Sequence, residues 1–199
     1  MLYKYEHGSC VECGFSANQA EYEPRMHRRF HEIWRLGVKA PIESGTILVP
    51  AWGNSRLVKY VYNMARLAQE ENGYDFSSFS PRSDRDGWKR YKTMAFLKAM
   101  GGRFVGYAVV RMTSTFGNYN WQEGKVSYEE HNQRLPLVGM IFTCGSKRRK
   151  RIARSMVTDI LNHYRVGLQD LVWAVPFSED GNPFLKRLYN EETIKVGYV

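Results

Sequence analysis

The sequence predicts an α/β fold preceded by a small zinc finger, and two patterns carry that prediction. From residue 41 onward, short runs of β-forming residues alternate with stretches of helical period, as in a sheet covered by helices. Before residue 41, Cys10-x-x-Cys13 is followed by His27 and His31, which is the ligand spacing of a small zinc module. We therefore expect a small ββα zinc finger of the C2H2 type over residues 1–40 and one α/β domain over residues 41–199.

Composition limits the classes of protein to which the chain can belong. It has 199 residues, of which 43% are hydrophobic and 14% aromatic, enough for a packed core. No apolar run has the length of a membrane span and the N-terminus lacks a signal-peptide apolar region, so we expect a soluble, intracellular protein without a membrane partner. Its compartment is the nucleus if it is eukaryotic and the cytoplasm if it is bacterial or viral. The net charge of +9 predicts a polyanionic partner, such as a phosphorylated cofactor, nucleic acid or chromatin.

The Cys/His pattern has the chemistry of a zinc site. Two thiolates on a tight turn and two imidazoles one helical turn apart close a tetrahedron around Zn²⁺. A module this small cannot bury enough apolar surface to fold alone, so the metal supplies folding energy. The alternative is a chance grouping of two cysteines and two surface histidines. Because the finger is single and Pro24 falls near the start of its helix, a structural or protein-contact role is favoured over base reading.

The α/β region divides into elements by periodicity and turn signals. We expect strands over residues 46–49, 91–100, 103–113, 135–143, 171–175 and 193–199, with Gly101 and Gly102 joining a hairpin. Helices are expected over residues 55–72, 152–164 and 182–190. Residues 77–86 read as a polar loop, and residues 114–133 as an irregular insertion placed over a substrate groove.

Five consecutive cations, residues 147–151, stand between a predicted strand and the start of a predicted helix. A helix N-terminus carries partial positive charge, so each cation there is disfavoured by roughly 0.3–1 kcal/mol. A bound anion reverses that penalty, and phosphate is the usual one. The alternative is a solvated basic loop, or a nuclear-import or nucleic-acid patch.

This basic run resembles the acyl-CoA pyrophosphate loop of GCN5-related N-acetyltransferases, Arg/Gln-x-x-Gly-x-Gly/Ala. Arg148 and Ala153 fit the two ends of that pattern, and Arg151 stands at the usual Gly position. With the finger included, the chain resembles the Eco/ESCO family of sister-chromatid cohesion acetyltransferases. The family's finger reads Cys-x-x-Cys-Gly followed by His-x-x-Phe-His, as here, and its vertebrate members carry Arg-Arg-Lys-Lys-Ile-Ala in the loop.

The resemblance implies a GCN5-related N-acetyltransferase fold, with a mixed, mostly antiparallel sheet and helices on both faces. It also implies acetyl-CoA and Zn²⁺ as cofactors, and transfer of acetyl to a lysine or another amine of a macromolecule. Phe142 and Thr143 would lie at the end of the strand that meets the thioester. The residues that would hold the phosphates are Arg148, Arg149, Lys150, Arg151, Ile152 and Ala153.

The catalytic acids of the resembled family have no counterparts here. Its helix glutamate aligns with Thr158, its strand serine with Gly139 and its later aspartate with Val175. Those three roles are therefore not carried over to this chain.

Three other residues are our candidates for proton transfer. Asp159 neighbours the helix position, Asp180 follows a strand, and Tyr189 stands where many acetyltransferases keep the acid that protonates the departing CoA thiolate. Glu179 or a chain of water molecules are further choices. Asp180 is equally explained as a turn and helix cap, and Tyr189 as an aromatic core residue.

The sequence is thus compatible with three functions. The first is an acetyl-CoA-dependent N-acetyltransferase acting on a macromolecular amine. The second is a related enzyme that modifies or binds nucleic acid. The third is a binding protein that keeps the finger and the fold but has lost its catalytic acids.

Overall fold

The computed structural model describes residues 3–22, 24–51, 55–72, 92–190 and 192–198. The N-terminal part forms β1 (Tyr5–Glu6), β2 (Ser9–Cys10), α1 (Ala17–Tyr22) and α2 (Pro24–Leu36). The two strands pair as an antiparallel hairpin, and Pro24 opens α2, where its missing N–H costs nothing. The predicted ββα order is present, with α1 as an additional short helix.

The rest of the described chain forms one seven-stranded sheet with helices on both faces. The strands are β3 (Val38–Lys39), β4 (Ser44–Pro50), β5 (Met94–Met100), β6 (Arg103–Tyr119), β7 (Glu129–Thr143), β8 (Val172–Ala174) and β9 (Ile194–Gly197). The helices are α3 (Ser55–Asn72), α4 (Ile152–Tyr164) and α5 (Gly181–Leu188). Among the described residues, no helix combines the length and the apolarity that crossing a bilayer requires.

The strand order is β4-β5-β6-β7-β8-β9, and β3 pairs with β6. The neighbours from β4 to β7 are antiparallel, whereas β7 with β8 and β8 with β9 are parallel. This is the mixed, mostly antiparallel sheet that we expected.

Side chains of the central strands point alternately to the two faces of the sheet, and each face has its own hydrophobic core. Ala95 and Leu97 of β5 pack in the cluster that contains α3, while Phe96 packs in the cluster that contains α4 and α5. Side chains of a strand point alternately to opposite faces, and both faces of β5 are covered here. The nearly unbroken apolar sequences of β5 and β6 follow from that double burial.

Strand β6 runs further than predicted, because its end has a second partner. It pairs with β7 and then with β9, where Gly117 lies opposite Val196. Strand β7 begins at Glu129, so only residues 120–128 lie between the two strands. The expectation of an irregular insertion over residues 114–133 is therefore wrong at both ends. The half-exposed, polar ends of both strands lack the apolar run that marks the core. The predicted loop over residues 77–86 lies outside the described residues.

We expect Gly117→Ala to disturb the packing of residues 126 and 127 against β6 and so to destabilise the protein. A Cβ at Gly117 would stand 2.1 Å from the backbone oxygen of Ser127, which cannot move aside by rotating a side chain. Overpacking of this kind costs about 1–3 kcal/mol of unfolding free energy, measurable by urea denaturation. Gly167→Ala is the control, since its Cβ would meet Asp170 at an ordinary 3.6 Å. Equal stability of the two variants would contradict the expectation.

Candidate active site and metal centre

The four predicted metal ligands come together in the N-terminal part of the chain. One ligand atom from each of Cys10, Cys13, His27 and His31 lies within 4.8 Å of every other, and all four residues are buried. Cys13 Sγ is 3.4 Å from His27 Nε2, and Cys10 Sγ is 4.0 Å from His31 Nδ1. The hairpin presents the thiols, and α2 presents the imidazoles one turn apart. This donor set and spacing fit a tetrahedral Zn²⁺ site.

Surrounding groups orient the two imidazoles. The second ring nitrogen of His27 lies 2.7 Å from the Tyr5 hydroxyl, and that of His31 lies 3.2 Å from a Glu12 carboxylate oxygen. Partners of this kind fix the ring and its tautomer in metal sites. Burial, together with His31, lowers the pKa of His27, which favours the neutral form that binds a metal. Burial raises the pKa of Cys13 to about 12, so a cation is needed to hold its thiolate.

A cleft opens where β7 parts from β8. The two parallel strands pair only at Leu137 with Val172 and at Val138 with Trp173, whereas β7 continues beside β6 as far as Thr143. Among the described pairings, residues 139–143 thus have a neighbouring strand on one side only. Beside this edge lies a cleft of about 770 Å³ between β7, the start of α4 and α5. Ligands of α/β sheets bind at such carboxyl-end openings.

The basic loop, residues 145–151, closes one end of the cleft with a strained backbone. Arg149 and Arg151 both have a φ of 60°, in the left-handed region that favours Gly. Arg151 directly precedes α4 and makes no side-chain cap. The geometry explains why a Gly stands at this position in the resembled loop. The first backbone N–H groups of α4, which have no acceptor within the helix, lie at the same end of the cleft.

Positive charge dominates the walls of the cleft. The cations lining it are Lys147, Arg148, Arg149, Arg151, Arg154 and Arg187, whereas Asp180 is the one acid among the described residues of the lining. The predicted cofactor residues Phe142, Thr143, Ile152 and Ala153 line it as well. Lys150 does not, although the prediction included it. The cleft therefore suits an anionic ligand with apolar parts.

Arg148 links three elements instead of extending alone into the cleft. Its Nη2 pairs with a Glu71 oxygen of α3, its Nη1 lies 3.1 Å from Asp180, and its Nε donates to the Thr143 carbonyl at 3.4 Å. Burial raises the pKa of the Glu71 carboxyl, and the Arg148 guanidinium opposes that shift. Arg148 is thus anchored at the mouth of the cleft by two carboxylates.

One hydroxyl in the cleft is left without a partner. The Thr143 Oγ1 atom is buried and makes no hydrogen bond within the part of the chain that the structure describes. Unpaired buried polar groups cost free energy, so such an atom is suited to a ligand hydrogen bond. Thr143 is the last residue of β7 and stands between its unpaired edge and the basic loop.

The three candidates for proton transfer occupy different places. Asp180 lines the cleft at its basic-loop end, where it pairs with Arg148. Asp159 does not line it, because one of its carboxylate oxygens accepts from Thr46 at 2.6 Å and from Lys98 at 2.9 Å, on the side of α4 that faces β4 and β5. This placement is the correction to the expected catalytic role of Asp159.

Tyr189 also lies outside the lining of the cleft. It is buried, its hydroxyl donates to the Leu168 carbonyl at 2.8 Å, and it accepts from Trp173 Nε1 at 2.8 Å. Burial raises its pKa to about 12. Its proton is committed within the core, so the alternative of an aromatic core residue fits Tyr189 and the expected acid role does not.

Several residues of the site were missed from the sequence. Arg154 and Arg187 line the cleft from α4 and α5, and Ser178 accepts a hydrogen bond from the Gly181 N–H at the start of α5. Arg154 lies three residues after Arg151, about one helical turn further along, so it could have been predicted from the basic run. Arg187 and Ser178 lie in the cleft because the chain after β8 returns to it. No local sequence pattern predicts that path.

Solved acetyltransferase structures are similar to this chain in fold, and two of them are structures of one domain. One is the xEco2 acetyltransferase domain bound to a CoA conjugate, with a TM-score of 0.61 and 15% identity over 80% of this chain and 96% of that one. A second structure of the xEco2 acetyltransferase domain has a TM-score of 0.56 and 14% identity over 82% of this chain and 96% of that one. No protein-family model and no curated protein matches the sequence.

The class that the sheet and the cleft define is the GCN5-related N-acetyltransferase fold, and the predicted fold class is confirmed. Within it, the particular likeness is to the Eco2 acetyltransferase domain, the resemblance that the finger and loop motifs indicated. At this identity the likeness establishes the fold.

We expect Cys13→Ser to abolish stoichiometric zinc binding and to lower the melting temperature, because metal binding supplies folding energy to so small a module. Metal content by mass spectrometry and thermal unfolding measure the two effects. Cys144→Ser is the matched control, since that buried cysteine is outside the ligand cluster and its variant should keep the metal. Full zinc content in the Cys13 variant would contradict the assignment.

We expect Tyr189→Phe to lower the unfolding free energy by about 1–3 kcal/mol while acetyl-CoA affinity stays unchanged. The variant leaves the buried Trp173 Nε1–H without its acceptor, and the Leu168 carbonyl loses the Tyr189 donor while it keeps the Leu171 N–H. Chemical denaturation and titration calorimetry separate the two quantities. Unchanged stability together with lost acetyl transfer would return the catalytic role to this tyrosine.

Proposed function

We propose that the protein is an acetyl-CoA-dependent N-acetyltransferase that acts on a lysine or another amine of a macromolecular partner. One observation carries the proposal: the unpaired edge of β7 and the basic start of α4 share a single cleft. CoA joins a chain of amide groups to a diphosphate, so its two halves have the chemistry of these two walls. The finger, with bound Zn²⁺, is proposed as a structural module of the same protein.

The walls of the cleft divide the recognition of CoA between them. The N–H and C=O groups of residues 139–143 that face away from β6 are placed to pair with the pantetheine amides, as one strand pairs with another. The diphosphate would lie against the first N–H groups of α4 and the guanidinium groups of Arg149 and Arg151. The phosphates offset the repulsion among the cations, and Thr143 Oγ1 gains a partner.

Acetyl-CoA supplies an activated acetyl thioester when bound, and the chain must orient it and accept an amine beside it. Backbone N–H groups at the open edge of β7 are suited to stabilise negative charge on the thioester oxygen. The acceptor amine must be neutral before it attacks. Among the described residues that line the cleft, Asp180 is the one carboxylate, but its pairing with Arg148 at the phosphate end favours a positioning role. We therefore assign the proton of the amine to water in the open cleft.

The macromolecular acceptor is the finer part of the proposal. Similarity to the cohesion acetyltransferases favours a protein lysine, and the +9 charge suits a target close to nucleic acid or chromatin. A nucleic-acid substrate is the competing candidate. Release of free CoA from acetyl-CoA with a lysine-rich protein, but not with duplex or single-stranded nucleic acid, is the expected result.

Calorimetric titration with acetyl-CoA tests the cofactor site directly. We expect Arg149→Ala and Arg151→Ala each to weaken binding by about tenfold or more, because each removes a charge-assisted contact to phosphate worth about 1.5–3 kcal/mol. Arg134→Ala is the matched control, being an exposed cation of β7 outside the cleft. Absence of binding by the unmodified protein, or equal losses in the control, would overturn the assignment.

A further inference from the structure

Glu71 is a largely buried carboxylate that the proposed cofactor contacts do not use. It lies in the last turn of α3, outside the lining of the cleft, and its side chain is 11% exposed. One carboxylate oxygen accepts from Trp34 Nε1 at 2.7 Å, and the other pairs with Nη2 of Arg148. Burying a carboxylate is costly unless it is paired, and both of its oxygens have a partner here.

The pairing fixes the position of a long side chain. Arg148 also contacts Asp180 and the Thr143 carbonyl, so each of its three guanidinium nitrogens is directed at a different element. A guanidinium has five N–H donors, and these three contacts leave donor capacity for an anion in the cleft. A free Arg loses rotamer entropy when it binds an anion, whereas an anchored one has lost much of it beforehand.

Trp34 connects this anchor to the metal finger. It belongs to α2, and its ring lies 5.9 Å from that of His31. A Cβ added at Gly145 of the basic loop would stand 2.3 Å from the Trp34 ring, so the loop lies directly against the indole. Ser146 donates to the backbone oxygen of Arg35. The last turn of α2 therefore supports both the basic loop and the carboxylate that holds Arg148.

We propose that Glu71 is a positioning residue for cofactor binding: together with Trp34, it holds Arg148 at the mouth of the cleft, so the finger helix fixes part of the cofactor site. The inference rests on the proposed function, because it requires an anionic cofactor at the basic loop. Glu71 acts through Arg148 and touches no cofactor atom itself.

A double-mutant cycle on acetyl-CoA affinity tests this role. Glu71→Gln keeps an acceptor for Trp34 and removes the charge that binds the guanidinium. We expect Glu71→Gln and Arg148→Ala each to weaken binding about tenfold, and Glu71→Gln to add less than about twofold when Arg148 is already Ala. A purely structural role of Glu71 would give the same loss in both backgrounds. Glu129→Gln, at an exposed position of β7, is the matched control for charge.

The indole is tested separately by Trp34→Phe, which removes the N–H donor and retains an aromatic ring. We expect acetyl-CoA binding to weaken by roughly three- to tenfold, since the variant removes a hydrogen bond to the charged carboxylate that holds Arg148. Zinc content should stay at the level of the unmodified protein. Trp121→Phe is the control, because that indole N–H donates to the Glu192 carbonyl outside the cleft.

The outcomes separate this inference from the proposed function. If Glu71→Gln binds acetyl-CoA as tightly as the unmodified protein or more tightly, or if the losses in the cycle are additive, the positioning role is overturned. The proposed function still stands in that case, provided that the unmodified protein binds acetyl-CoA. If Glu71→Gln fails to fold, unchanged affinity of Trp34→Phe overturns the inference by itself. Failure of the unmodified protein to bind acetyl-CoA would remove both.

Discussion

Strand β7 keeps β6 beside it to its last residue, but it keeps β8 only at Leu137 and Val138. Everything proposed for the site depends on that divergence. The first part of β7 is a buried central strand, and the second part presents an unpaired edge, which is normally a liability because it invites pairing with another chain. Here the edge is enclosed by α4 and α5, so a small amide-containing ligand can reach it and a second sheet cannot.

The basic loop adds an electrostatic constraint to the same opening. Its cations stand at the positive end of α4, and Arg149 and Arg151 adopt a conformation that costs roughly 1–2 kcal/mol for residues other than Gly. Glu71 and Asp180 compensate Arg148 alone. Strain and repulsion of this kind are retained where a bound group offsets them. The phosphorylated ligand that we propose would account for both the charge pattern in the sequence and the geometry of the cleft.

Local patterns predicted what local chemistry determines. The predicted metal ligands lie in one short segment, residues 10–13, and on one helix, and the basic run adjoins the helix that it precedes. Their spacing in the sequence was therefore informative. Asp159 was misjudged because its role depends on Lys98 and Thr46, which are remote in sequence. Glu71 likewise contacts two residues that are remote from it in sequence, Trp34 and Arg148. The extra length of β6 depends on its pairing with β9. The polar residues at the end of β6 show no alternating pattern from which that pairing could be predicted.

The finger is not separated energetically from the sheet that follows it. Phe30 and Trp34 pack both against the cluster formed by Cys10, Cys13 and Phe15 and against the core beneath α3. A module of this size buries too little apolar surface to be stable alone, so this shared packing must stabilise it, together with the Zn²⁺ that we propose. The Trp34 ring of α2 also lies against Gly145 of the basic loop, so a displacement of α2 would directly change the packing of that loop. Metal binding and cofactor binding are therefore expected to be linked in free energy, each ligand stabilising the arrangement that the other requires.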